Sequence, residues 1–78
     1  MSSKLQLIIR SGCHLCDDML EGIKEYEQDR DFTLEVIDIM GQPELEQEFG
    51  QRIPVLMSEN EVICEYFLDS VRLKHYIG

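Results

Sequence analysis

The chain has 78 residues, of which 16 are acidic and seven are basic, so its formal net charge is −9. A chain of this length fits one domain and has no room for a second, so we predict a single domain over residues 1–78. Because so short a domain buries only roughly 60% of its unfolded surface, we expect no large internal pocket. The acid excess argues against nucleic acid as a ligand, since phosphate contacts need a basic face. No apolar run approaches the roughly 20 residues of a membrane helix, and Met1–Lys4 lacks a signal-peptide core, so we expect no membrane association and a cytoplasmic location.

The first half of the chain predicts a strand, a helix and a second strand. Leu5–Ile9 is apolar except for one glutamine, which is typical of a central strand covered on both faces. From about Cys13 the apolar residues recur at helical spacing, and the polar stretch Gln28–Asp31 ends that helix. The segment Phe32–Ile39 is rich in β-branched and other apolar residues and predicts the second strand.

The second half predicts a short helix, a hairpin and a last helix. Pro43 suits the first position of a helix, and Gly50 is well placed to end it. Pro54–Met57 and Val62–Cys64 are predicted strands, and the polar residues 58–61 form the turn between them.

The last predicted helix can be capped by Asp69 or Ser70. The resulting order is β-α-β-α-β-β-α. The first β-α-β unit requires parallel strands, and the tight turn makes the last two strands antiparallel. The sequence therefore predicts an α/β protein with a mixed four-stranded sheet flanked by helices.

The motif Gly12-Cys13-His14-Leu15-Cys16 lies where the first strand ends and the first helix begins. At that place Cys13 faces unpaired backbone N–H groups, which favour a thiolate. A thiolate is the nucleophile of disulfide exchange, and a second cysteine three residues on can resolve a mixed disulfide. We predict Cys13 as the nucleophile and Cys16 as the resolving thiol.

Nearby charges act on Cys13 in opposite directions. His14, when protonated, would favour the thiolate, and we assign it a pKa-tuning role. Asp17 and Asp18 lie in the first turn of the predicted helix and disfavour it. These effects together suit a reductant or an exchanger rather than a disulfide donor.

A C-x-x-C motif also occurs in zinc sites, so metal binding has to be weighed. Structural zinc needs four ligands, and this chain has no second C-x-x-C. His14 lies inside the motif in an awkward position, His75 is interpreted as a surface residue of the last helix, and Cys64 as a buried, inert thiol. We predict no metal ligands and no resident cofactor.

Three features together resemble the glutaredoxins and thioredoxins: the strand-C-x-x-C-helix unit, the sequence Val36-Ile37-Asp38, and the sequence Arg52-Ile53-Pro54-Val55. In detail the chain looks most like a small bacterial glutaredoxin-like family with Gly-Cys-x-Leu-Cys and Arg-Ile-Pro-Val-Leu motifs. The resemblance implies the thioredoxin fold. It also implies a cis Ile53–Pro54 bond that faces the cysteines and leaves the Ile53 backbone free to pair with an extended substrate.

The chain departs from true glutaredoxins at the glutathione site. The family's Gly-Gly after the fourth strand is absent, since this stretch is Cys64-Glu65-Tyr66-Phe67. Arg10, three residues before the first cysteine, matches a basic residue of the family and can grip a carboxylate, as can Arg52. The predicted substrate-binding residues are Arg10, Gly12, Leu15, Arg52, Ile53 and Pro54.

The predicted function is a dithiol oxidoreductase that reduces or exchanges protein or mixed disulfides in cell redox homeostasis. Its partners would be a disulfide-bearing protein or small-thiol substrate and an electron donor, either a reductase or glutathione as co-substrate. We expect a monomer. Two alternatives stay open: a thioredoxin-fold binding or adaptor module with little redox turnover, and metal or iron–sulfur handling.

Overall fold

The elements follow the predicted order in a computed structural model, which describes residues 3–28 and 31–77. The strands are β1 Ser3–Ile9, β2 Phe32–Asp38, β3 Val55–Ser58 and β4 Glu61–Glu65, and the helices are α1 His14–Glu27, α2 Pro43–Phe49 and α3 Ser70–Ile77. The largest difference from the predicted bounds is at β1, which begins at Ser3 rather than Leu5. Asp29 and Arg30, within the stretch predicted to end α1, lie outside the described residues, as do Met1 and Ser2.

The four strands form one mixed sheet in the order β2-β1-β3-β4. β1 is central: Leu7 lies opposite Val36 of the parallel strand β2 and opposite Leu56 of the antiparallel strand β3. β4 pairs antiparallel with β3 and forms an edge. The predicted mixed sheet is confirmed. Because β1 and β2 are parallel and β3 is antiparallel to them, the carboxyl ends of β1 and β2 and the amino end of β3 lie at the same end of the sheet.

Helices cover both faces of this sheet, and β1 contributes to both cores. Leu5 and Leu7 are fully buried in one cluster, and Ile8 is buried in the other. The first cluster contains Met19 and Ile23 of α1 and Leu73 of α3, together with Phe32, Leu56, Ile63 and Cys64 of the sheet. The second contains Phe49 of α2, with Ile39 and Val55. Burial of Leu5 and Leu7 on one face and of Ile8 on the other explains why the segment Leu5–Ile9 is mostly apolar.

The ends of the helices follow the expected capping chemistry. Pro43 occupies the start of α2, and Gly50 is its C-cap residue. Of the two candidate caps for α3, Asp69 takes the role, because its Oδ1 accepts the N–H of Arg72 at 3.2 Å. Among the described residues, no helix has the length and apolar character needed to cross a bilayer.

Arg72 fastens α3 to an irregular part of the edge strand β4. The β3–β4 register shifts between Leu56 and Met57, which lie opposite Cys64 and Val62, so Ile63 is the extra residue of a β-bulge. The guanidinium of Arg72 donates to the backbone carbonyl of Ile63 and, at 3.2 Å, to that of Val62. It therefore supplies donors to carbonyls at the bulge and covers part of an exposed sheet edge.

We predict that Arg72→Met lowers the free energy of unfolding by about 1 kcal/mol, because both carbonyls lose a protein donor while the apolar stem is kept. Urea denaturation followed by circular dichroism measures the change. Lys74→Met, on the same helix, removes the same charge from an exposed position and is the matched control. Equal losses in the two variants would contradict the role assigned to the Arg72 hydrogen bonds.

Candidate active site

The loop between β1 and α1 is a tight turn that places Cys13 at the start of the helix. The N–H of Cys13 donates to the carbonyl of Arg10 at 3.3 Å, which closes the turn. Gly12 lies within it with φ of +83°, in the left-handed region that favours glycine. The conformation of Gly12 therefore fixes the direction in which the chain enters α1.

Cys13 is the N-cap residue of α1. Its backbone is extended, with φ of −92° and ψ of 116°, and its Sγ accepts the N–H of Cys16 at 3.2 Å. Its carbonyl accepts the N–H of Asp17 at 3.2 Å, the first bond of the helix. The sulfur thus takes the place that a serine or aspartate oxygen takes in most N-caps, where the helix dipole favours negative charge.

Cys16 is placed differently from Cys13. It lies on the inner face of α1 and is only 2% exposed, whereas Cys13 is partly exposed. Burial raises the pKa of the Cys16 thiol to about 11, and a side-chain hydrogen bond with Cys13 acts in the same direction. Cys13 is therefore partly accessible to solvent, whereas Cys16 is a buried thiol that keeps its proton at neutral pH.

The segment before β3 lies at the same end of the sheet as the loop that carries Cys13. Val55 pairs with Ile8 near the end of β1, and the peptide bond between Ile53 and Pro54 is cis. Pro54 is buried, and its carbonyl accepts the N–H of Tyr66 at 2.9 Å. The backbone of the Ile-Pro segment is thereby joined to the loop that follows β4.

Arg10 and Arg52, both predicted to bind substrate, lie in ion pairs within the chain. The guanidinium of Arg10 is 3.3 Å from Glu46, and Nε of Arg52 is 2.9 Å from Glu65. Arg52 also lies over the ring of Phe49 at 5.4 Å, and Glu65 raises its pKa. A substrate carboxylate would have to compete with these partners, so a substrate role for either arginine stays a prediction.

His14 is exposed on the first turn of α1. Within the described part of the chain, its ring forms no hydrogen bond or ion pair, and its proposed influence on Cys13 stays a prediction. Asp17 lies in this first turn, as the sequence predicted, whereas Asp18 lies one residue beyond it, and both are exposed.

Asp38, at the end of β2, anchors the loop that carries the cysteines. Its carboxylate accepts the hydroxyl of Ser11 and, at 2.9 Å, the N–H of Met40. The hydrogen bond from Ser11, followed by that from Met40, lowers the pKa of Asp38. In the sequence, Asp38 stood out only as part of the Val36-Ile37-Asp38 motif. Its contact with Ser11 became visible only when parallel pairing placed the ends of β1 and β2 side by side.

A shallow groove of about 320 Å³ adjoins the C-x-x-C motif. It lies between α1 and the loop after β4, and it is lined by Leu15, Asp18, Met19, Gly22, Tyr66, Phe67 and Leu68. Leu15 was predicted from the sequence as a binding residue, whereas Tyr66 and Phe67 were not. The available signal was the pair of adjacent aromatics directly after a strand, with no place for them in the predicted core.

Cys64 is buried in β4, as predicted, and belongs to the larger hydrophobic cluster. Burial raises the pKa of its thiol, which disfavours the reactive thiolate. Over residues 3–28 and 31–77, no three histidine, cysteine or acidic side chains are grouped so as to hold a metal ion.

Fold and site together define a thioredoxin-like protein, with a C-x-x-C at the junction of the central strand and the first helix. The family model of the glutaredoxin-like domain (DUF836) matches residues 4–78, and the chain belongs to that family. It is 29% identical over 76 residues to uncharacterised proteins of Mycobacterium tuberculosis and Mycobacterium bovis, covering 91% of this chain and 78% of theirs.

Known structures agree with this assignment. The solution structure of a protein from Nitrosomonas europaea superposes with a TM-score of 0.89 and 36% identity, covering all of this chain and 94% of that one. A crystal structure of a protein from X. campestris gives 0.71 and 29%, covering 92% of each chain. A thioredoxin variant from Halobacterium salinarum gives 0.63 at 22% identity, over 97% of this chain and 72% of that one, which shows the shared fold.

The hydrogen bonds of Asp38 predict a pH-dependent stability. Because its pKa is lowered in the folded state, the ionised carboxylate stabilises the fold above the ordinary aspartate pKa of about 3.9. This contribution is lost as the pH falls through the lower, folded value. The difference in unfolding free energy between the wild type and Asp38→Asn should therefore shrink on acidification from about pH 5 towards pH 2.

Urea denaturation at a series of pH values measures this difference. Asp31→Asn, in the segment before β2, removes the same charge from an exposed position and leaves the Ser11 contact intact. The pH-dependent loss should be larger for Asp38→Asn than for this control. A difference that stays constant, or grows on acidification, would contradict the assignment.

Proposed function

We propose that the protein is a dithiol–disulfide oxidoreductase that reduces or exchanges disulfides through Cys13 and Cys16. The observation that carries the proposal is the pair of unequal sulfurs. Cys13 is partly exposed and caps a helix N-terminus, and Cys16 is buried, with its N–H 3.2 Å from the Cys13 sulfur. Helix N-termini are sites where cysteine thiolates are favoured.

In the first step, the Cys13 thiolate attacks one sulfur of the substrate disulfide. A bond forms between Cys13 and that sulfur, the substrate disulfide breaks, and the other substrate sulfur leaves as a thiolate. Partial exposure of Cys13 gives the substrate access, and the backbone N–H of Cys16 offers a donor to negative charge on the Cys13 sulfur.

In the second step, the sulfur of Cys16 attacks Cys13, and the mixed disulfide breaks. The proton of Cys16 goes to solvent or to the thiolate released before, the Cys13–Cys16 disulfide forms, and the second substrate thiolate leaves. Two electrons have then passed to the substrate. In the mixed disulfide the Cys13 sulfur carries no negative charge, so it no longer opposes ionisation of the Cys16 thiol.

Return to the dithiol form requires two electrons from a thiol donor, for which glutathione or a dithiol reductase is the proposed class. The loop after β4 presents Tyr66 and Phe67, both exposed, where true glutaredoxins carry their glycine pair. A protein disulfide is therefore favoured over glutathione as the main substrate. We place the reaction in the cytoplasm, where thiols are kept reduced.

Cysteine variants test the proposal directly. Cys13→Ser should abolish reduction of a protein disulfide such as that of insulin, because the attacking sulfur is lost. Cys16→Ser should accumulate a mixed disulfide through Cys13, because the resolving sulfur is lost. A turbidity assay with dithiothreitol as donor measures the first result, and mass spectrometry of the intact protein measures the second.

Cys64→Ser is the matched control, since it removes the third thiol of the chain from a buried position in β4. It should retain activity. Activity that persists in Cys13→Ser, or that is lost in Cys64→Ser, would overturn the assignment of roles. A protein partner that still binds after Cys13 and Cys16 are both replaced by serine, in the absence of any reductase activity, would favour the adaptor alternative.

A further inference from the structure

The groove between α1 and the loop after β4 is continuous with the cysteine motif. Leu15, which lies between the two cysteines in sequence, forms one end of its lining, and Gly22, two helical turns further on, lies towards the other. A chain segment bound in this groove would therefore reach the start of α1, where Cys13 is partly exposed.

One wall of the groove is aromatic and uncovered. Phe67 is 70% exposed and Tyr66 is 43% exposed, although both are large hydrophobic residues. Single exposed apolar residues are ordinary, but adjacent ones that line a groove beside a reactive group mark a binding surface. Aromatic side chains are also the residues that contribute most to recognition sites.

This wall is held in place by hydrogen bonds and packing. Tyr66 has φ of +66°, its N–H donates to the carbonyl of Pro54 at 2.9 Å, and its hydroxyl donates to the carbonyl of Gln51. On the other side, α1 approaches the loop closely, since a Cβ on Gly22 would lie 2.8 Å from Cδ2 of Leu68. The groove is thus built before any ligand arrives, which limits the entropy lost on binding.

The charge of the groove selects a basic ligand. Asp18 is part of the lining, and Glu21 lies three residues further along α1. The two ion pairs found within the described residues involve Glu46 and Glu65, so neither of these α1 carboxylates has a cationic partner there. The net charge of −9 acts in the same sense over a longer range.

We propose that this groove binds an extended segment of a protein substrate, with an apolar side chain next to the reactive cysteine and a lysine or arginine beyond it. The apolar side chain packs against Leu15 and Phe67, and the cation lies near Asp18. This inference rests on the proposed function, because it names the substrate class of that same site. A second copy of the chain and glutathione are both negatively charged, and the acidic groove disfavours each of them.

The test measures how fast Cys13 forms a mixed disulfide with short peptides in the Cys16→Ser background. Each peptide carries one cysteine joined by a disulfide to 2-nitro-5-thiobenzoate. Attack by Cys13 links the peptide to the protein and releases the coloured thiolate, which is followed by absorbance. Four peptides combine a leucine or a serine beside the cysteine with a lysine or a glutamate two residues away.

The peptide with leucine and lysine should react fastest, about tenfold faster than the peptide with serine and glutamate. Each rate is normalised to the reaction of the same peptide with 2-mercaptoethanol, which removes intrinsic differences between the disulfides. Phe67→Ala should slow the leucine peptides about threefold. Asp18→Asn should slow the lysine peptides about threefold at low salt, and this effect should vanish near 1 M salt.

The controls alter equivalent residues elsewhere on the surface. Val36→Thr makes an exposed apolar residue polar on β2, the opposite edge strand, and Glu59→Gln removes a carboxylate in the β3–β4 turn, at the far end of the sheet. Neither should change the peptide preference. Circular dichroism of every variant confirms that the fold is retained.

The outcomes separate this inference from the proposed function. Equal normalised rates for all four peptides, or equal effects of the groove and control variants, would overturn the groove proposal and leave the oxidoreductase intact. A preference for glutamate peptides would also overturn it. Failure of Cys13 to form a mixed disulfide with any peptide would overturn the proposed function, and the groove proposal with it.

Discussion

The N-cap of helix α1 is a cysteine, and the rest of the site depends on the hydrogen bond that its sulfur accepts. The N–H of Cys16 donates to Sγ of Cys13 at 3.2 Å, so the bond that caps the helix also orients one cysteine relative to the other. The usual N-cap acceptor is an oxygen of a serine, threonine, aspartate or asparagine side chain. A sulfur cap places a thiol at the positive end of the helix dipole, so in the proposed mechanism the same residue both starts the helix and attacks the substrate.

The position of this cap is set by the centre of the sheet. Leu5 and Leu7 of β1 are buried on one face of the sheet and Ile8 on the other, and β1 pairs with a neighbouring strand on each side. The loop from the carboxyl end of β1 is held by the positive φ of Gly12 and by the contact between Ser11 and Asp38. At the same end of the sheet, the carbonyl of Pro54, in the cis Ile53–Pro54 segment, accepts a hydrogen bond from the N–H of Tyr66. The proposed nucleophile, the loop beside it and the groove wall therefore rest on one rigid frame.

Much of this frame could be predicted from the sequence, because its signals are local. The apolar β1, the change to helical spacing after Cys13 and the turn residues before and after β3 define the elements, and the motif fixes the place of the cysteines. The Asp38–Ser11 contact, in contrast, depends on which strands are neighbours, since 27 residues separate the two partners. The ion pairs of Arg10 and Arg52 are likewise tertiary, and the sequence showed only that each guanidinium was available. The groove was missed because exposure of Tyr66 and Phe67 is a property of the packed chain.

The central claim is that Cys13 and Cys16 form a reversible two-electron couple, while Cys64 takes no part. The most direct test is equilibration of the protein in buffers of graded ratios of reduced to oxidised dithiothreitol, followed by acid quenching, alkylation and peptide mapping. A single transition in which Cys13 and Cys16 become linked together, with Cys64 alkylated throughout, is the predicted result. Absence of any Cys13–Cys16 linkage under oxidising conditions, or a linkage that includes Cys64, would contradict the account.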